Sequence, residues 1–284
     1  MSTLLSTSEI ATAASRLKIA PAAARQLELL TRSIHAAGPA GFATAGLALD
    51  GATALLGVYL ARHGVLRVPV ALELAAYRAG ASLDRFLAVA APALGAEVRD
   101  SSLVFTSGGE TFVLPVTLAR SPLRFAPPRE VAHLPGAVEG AITAGPLHFA
   151  LHPTANPPGA VPVAYLEELV FRLLGRLAAA EGPFDAAAAD DLAWLLAREP
   201  VETERATAGL VLDAFRRGLA GRGLDLADAL PALRARILYA LGSADRTKAA
   251  PAGWRLDAGA TPADRVATEQ AALRALRFFG ETQP

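Results

Sequence analysis

The stretch FATAGLALDGATALLGVYLARHG, Phe42 to Gly64, constrains this chain more than any other: its first twenty residues carry a single charge, Asp50. A run of this kind is either a membrane span or part of a buried core. A spanning helix needs about 20 predominantly apolar residues, and an aspartate at its centre costs roughly 2.5–3.5 kcal/mol on insertion scales. The alanine, glycine and threonine that fill much of the run offset little of that. The reading that fits is a soluble core helix, with Asp50 as N-cap, Gly51 to Arg62 as the helix and Gly64 at the C′ position. Twelve residues at 1.5 Å each make about 18 Å, too short for a bilayer. Apolar nearly all round, this helix is expected at the centre of its domain, with Leu55, Val58 and Tyr59 buried.

Composition agrees with helices in water. Hydrophobic residues make up 52% of the 284, yet aromatics are only 6%, because alanine and leucine supply most of the apolar count. Alanine favours helices and anchors weakly in lipid. The alanine and arginine bias, with Lys18 and Lys248 as the only lysines, is that of a GC-rich bacterial genome. The formal net charge is +0, from 27 basic and 27 acidic residues. Residues 1–130 hold 12 basic against 9 acidic side chains (+3), and residues 131–284 hold 15 against 18 (−3). The N-terminal part is therefore the better candidate for touching phosphate. There is no cysteine, which excludes disulfides, thiolate zinc sites and thiol catalysis. The N-terminus lacks a basic segment followed by an apolar one, so no secretory signal is read there and the expected compartment is the cytoplasm.

Upstream of the apolar stretch, Ser6 and Glu9 make a capping box for a helix with the stripe Ile10, Ala13, Ala14 and Leu17. The chain then turns at Lys18-Ile19-Ala20, and Pro21 begins a second helix through Leu27, Leu30 and Ile34. Downstream, Pro69 opens VALELAAYRAG, Gly80 breaks it, and Ser82 caps LDRFLAVAAPALG. Both pairs have the helix, short turn and helix layout. AEVRDSSLVF and ETFVLPVTL then alternate around Thr106-Ser107-Gly108-Gly109, a hairpin signal. A helix-turn-helix followed by a hairpin resembles a winged-helix DNA-binding module, over about residues 65–120. The runs AASRLKIAPAAARQLELLTRSIHAAG, VYLARHGVLRVP and LELAAYRAGASLDRFLAVAA also resemble the five-helix cyclin-box repeat of TFIIB-like factors, across residues 8–94. That resemblance implies an architecture in which the Gly51–Arg62 helix is wrapped by four others.

The expected fold is thus mainly α: a helix-turn-helix domain with a β-hairpin wing at 1–120, a proline-rich linker with a short strand at 121–162, and a helical bundle at 163–284. The bundle carries stripes such as Leu166, Val170, Leu173, Leu174 and Leu177, and a homo-oligomer formed through it is expected.

Signatures of catalysis are weak. His148 and His152 lie in LHFALH, where strand geometry puts them about 13 Å apart. Glu167-Glu168, Asp190-Asp191 and the run Glu199, Glu202, Glu204 read as solvated helix faces and first-turn acids. Ser107-Gly108-Gly109 lacks the lysine and spacing of a phosphate loop, and no G-x-S-x-G, H-E-x-x-H or G-x-G-x-x-G is present. No catalytic residue, metal site or cofactor is assigned. For a DNA interface the side chains are Arg16, Lys18, Arg25, Gln26 and Arg32 in the first module, and Arg78, Arg85 and the wing residue Arg99 in the second. The expectation is a cytoplasmic DNA-binding protein without catalytic activity, a regulator or a replication, repair or nucleoid factor. The alternative is a scaffold gripping another protein through the same surface.

Overall fold

The chain enters its first helix through the capping box. In a computed structural model, Ser6 Oγ accepts from the Glu9 N–H, and Glu9 Oε2 accepts from the Ser6 N–H at 2.8 Å. Helix α1 (Thr7–Leu17) buries Ile10, Ala13, Ala14 and Leu17, and ends at Lys18 in the left-handed region (φ 53). Pro21 then opens α2 (Pro21–Ala45), which bends where Gly38 (φ 57) leaves helical geometry ahead of Pro39. The structure describes residues 4–56, 68–120, 129–131, 161–164, 169, 170, 172, 173, 191 and 195, with backbone alone at 120 and 129–131. The chain divides into two compact units, Met1–Ala164 with Ala252–Asp257, and Tyr165–Pro251 with Ala258–Pro284.

The first unit is built on a mixed sheet. After α2 come β1 (Leu47–Leu49), α3 (Gly51–Ala54), β2 (Leu72–Ala76), α4 (Leu83–Leu94), β3 (Glu97–Arg99), β4 (Ser102–Ser107), β5 (Glu110–Arg120), β6 (Arg129–Val131) and β7 (Val161–Val163). Among the described residues these strands form one seven-stranded sheet, in the order β3-β4-β5-β2-β1-β7-β6. Strands β1 and β2 are antiparallel, whereas β2 pairs parallel with β5 from Leu72↔Val116 to Ala76↔Arg120. The chain reaches that parallel partner through α4, β3 and β4, the long connection a parallel pair requires.

The mainly α expectation is corrected here. VALELAAYRAG, read as a helix of a second helix-turn-helix pair, contains β2 instead. Leu72 and Leu74 are buried on one face, and Glu73 and Ala75 alternate to the other. Alanine, leucine and glutamate favour a helix in isolation, but pairing on both sides overrides so weak a preference. The hairpin at Gly108-Gly109 is present, yet it is no wing: β5 continues into the centre of the sheet, and a second turn at Asp100-Ser101 splits the preceding run into β3 and β4. The central helix is α2, buried at every position from Leu27 to Ile34, with Thr31 and Ser33 hydroxyls donating to the Leu27 and Leu29 carbonyls. Helix α4, capped by Ser82, packs on it through an edge-to-face contact of Phe42 and Phe86 (5.2 Å), and Gly41 keeps the approach close. Leu55 is buried, and Val58, Tyr59 and Gly64 lie outside the described residues.

No described helix is long and apolar enough to cross a membrane. Most of the expected linker and bundle, including His148 and His152, lies outside the described residues. In the second unit Leu169, Val170, Leu173 and Leu195 are helical and buried, and burial lowers the Arg172 guanidinium to a pKa of about 10.

Candidate active site

Where β1 ends, the chain turns sharply into α3, and two acidic residues, Asp50 and Glu73, face each other across the strand pair. Asp50 is 3% exposed, and its N–H donates to the Glu73 carbonyl at 3.0 Å. Continuing the register of Leu49↔Leu74 places Asp50 opposite Glu73, and Glu73 pairs in turn with Thr117 of β5. Asp50, Glu73 and Thr117 therefore form one row across three strands. Asp50 is buried, Glu73 half-buried and Thr117 exposed, so the row runs from core to surface.

The turn itself is shaped around Glu73. Gly51 has φ +50, a conformation that favours glycine. The Ala52 N–H donates to Glu73 Oε2. Thr53 is fully buried; its Oγ1 accepts from the Glu73 N–H at 2.9 Å and donates to the Ala71 carbonyl at 3.2 Å. Glu73 is thus held by side chain and backbone, at a position from which its carboxylate can take a proton or carry charge opposite a ligand.

The donor set here is oxygen throughout, the kind that suits magnesium or manganese. Among the described residues no group of three or more His, Cys, Asp or Glu comes together. A magnesium ion arriving with phosphates needs only one or two protein carboxylates, and Asp50 and Glu73 are the acidic residues at this turn.

The residues expected to contact DNA lie on or beside α1, α2, α4, β2 and β3. Arg25 and Arg32 both pair with Glu28 on α2, Arg32 Nε at 3.0 Å from Glu28 Oε1. Arg25 also donates to the Leu5 carbonyl at 2.7 Å and lies 4.6 Å over the Phe112 ring. Gln26 Nε2 donates to the Val70 carbonyl at 3.0 Å. Arg16 and Lys18 are exposed at the end of α1. Arg78 donates to the Ala43 carbonyl, Arg85 is exposed in the first turn of α4, and Arg99 pairs with Glu97. Asp50 is the N-cap residue of α3, as the sequence predicts, with no side-chain cap hydrogen bond, whereas Glu73, expected in a helix, lies in β2. The signal that could have found them is the alternation Val70, Leu72, Leu74 against Ala71 and Glu73, together with Asp-Gly after the apolar Leu47–Leu49.

No family model and no curated protein matches the chain. A solved structure does: MenT4, a nucleotidyltransferase toxin from Mycobacterium tuberculosis H37Rv, is similar with a TM-score of 0.57 and 16% identity, over 99% of this chain and 91% of that one. The fold is similar to that of this structure, and the likeness replaces both the winged-helix and the cyclin-box resemblances. The expectation of a DNA-binding protein without catalytic activity is overturned with them, as is the scaffold alternative: of the two expected helix-turn-helix pairs α1 and α2 stand, but the second contains β2 of the sheet.

Proposed function

We propose that this chain is an enzyme that transfers a nucleotidyl group from a nucleoside triphosphate, with the Asp50–Thr53 turn and Glu73 as its active site. The observation that carries the reading is the likeness to a nucleotidyltransferase toxin across 99% of the chain. The Asp50–Glu73 pair supports it, as the paired carboxylates found at the mouth of a strand-to-helix turn. In the reaction an acceptor hydroxyl attacks the α-phosphorus, the bond from that phosphorus to the bridging oxygen breaks, and pyrophosphate leaves. Glu73 takes the acceptor's proton, a contribution of roughly 10²–10⁴-fold for a positioned base. The Ala52 N–H fixes Oε2, and Gly51 leaves room for the carboxylate beside the turn. Asp50 and Glu73 would hold a divalent cation, which when bound would neutralise charge on the triphosphate. A nucleoside triphosphate substrate also accords with the cytoplasmic location expected from the sequence.

The test is incubation of the purified protein with each α-labelled nucleoside triphosphate, magnesium, and RNA, DNA or protein as acceptor. The expected result is label in one acceptor class, with matching pyrophosphate release, lost in Glu73→Gln. Absence of transfer, pyrophosphate release and nucleotide binding for all four triphosphates would overturn the reading.

A further inference from the structure

We infer that Thr53 is a positioning residue that aims the Glu73 carboxylate by standing in for a strand that is not there; the inference rests on the reading of Glu73 as the reactive carboxylate. Strand β1 ends at Leu49, and after Asp50 the chain turns away into α3. An uninterrupted antiparallel ladder would continue to serve the Glu73 N–H and the Ala71 carbonyl on that side of β2. Thr53 Oγ1 serves both, at 2.9 Å and 3.2 Å. A hydroxyl can do so because it carries one donor and two acceptor lone pairs. A β-branched side chain is stiff at χ1, so the oxygen stays where the ladder needs it. Thr53 is fully buried.

The neighbouring residue completes the grip. Ala52 holds the Glu73 side chain and Thr53 holds its backbone, so consecutive residues of one helical turn fix both ends of the same glutamate. On its other side this part of β2 is held by β5, through Leu72↔Val116 and Glu73↔Thr117. Without the Thr53 hydroxyl the Glu73 N–H loses its acceptor, leaving only the Asp50 N–H on the Glu73 carbonyl at that edge, and the origin of the carboxylate is less tightly fixed.

Two measurements on Thr53→Val and Thr53→Ser test this. In steady-state transfer, Thr53→Val is expected to lose up to about 100-fold in kcat, what a misplacement near 1 Å costs. KM for the nucleotide should stay near the wild-type value, and Thr53→Ser should restore kcat. In amide hydrogen exchange, the Glu73 N–H should exchange faster in Thr53→Val than in wild type or Thr53→Ser. Thr53→Ala, which opens space for a water, takes the place of Thr53→Val if the latter does not fold. Wild-type kcat in the hydroxyl-free variant, or an unchanged Glu73 amide, would overturn the inference. An inactive wild type would instead defeat the nucleotidyl-transfer reading, and the exchange measurement would still decide whether Thr53 holds Glu73.

Discussion

Glu73 lies so close to Gly51 that a Cβ at position 51 would collide with its Oε2 and fall 2.8 Å from its Cδ. The atoms in the way belong to the end of a flexible side chain, so an added methyl displaces the carboxylate before it displaces the sheet. Gly51→Ala should therefore lose transfer activity as thoroughly as Glu73→Gln. The left-handed backbone adds about 1–2 kcal/mol of destabilisation. A melting curve alongside initial rates checks this: a variant with wild-type activity would show that the carboxylate does not act from its observed place.

Glu73→Gln keeps size and can still accept from the Ala52 N–H through its amide oxygen, but it carries no charge. Transfer is expected to fall by at least about 10²-fold, the low end for removing a positioned base, with little change in melting temperature. Comparison of kcat and thermal stability in the same preparation separates the two effects.

The Arg25–Glu28–Arg32 group is structural, and its members should behave unequally. Glu28 is wholly buried and accepts from both arginines and from the Leu5 N–H at 2.7 Å. Glu28→Ala removes the acid between two cations and should cost about 3–5 kcal/mol, as for a broken buried pair. Arg25→Ala, at a partly exposed position, should cost less. Denaturant unfolding of the two variants measures the order directly.

Acid should loosen the start of α1 before it reaches the core. The Ser6 side-chain and backbone hydrogen bonds hold the exposed Glu9 carboxyl below its usual value of 4.5. A carboxyl lowered in the folded state adds stability above pH 4.5 and gives it up as pH falls through the folded value. Relative to the intrinsic rate at each pH, the Ser6 and Glu9 amides should lose protection below that point, and Ser6→Ala, which removes the side-chain bond and leaves the backbone one, should weaken the pH dependence.

Legibility in the sequence followed the range of the interactions involved. The Ser6–Glu9 box, the stripe Ile10, Ala13, Ala14 and Leu17, the Pro21 start and the Ser82 cap are all settled within a turn or two of chain, and each stands in the structure where the residues place it. The Gly108-Gly109 hairpin joins adjacent segments and was equally readable. Strand β2 was not. Leu-Glu-Leu-Ala-Ala is short, rich in helix formers, and satisfies either period over five residues. What makes it a strand is Val116–Arg120, which arrives some forty positions later by way of a helix and two strands.

The candidate site depends on that same pairing. By itself, the sequence determined the starts of α1, α2 and α4, the Gly108-Gly109 turn and the absence of thiol chemistry, because caps, glycines and composition act locally. Only the tertiary structure decided that Glu73 lies opposite Asp50 and against Gly51. Those contacts join residues about twenty apart in the chain, and they exist only once β1 and β2 lie side by side in the sheet.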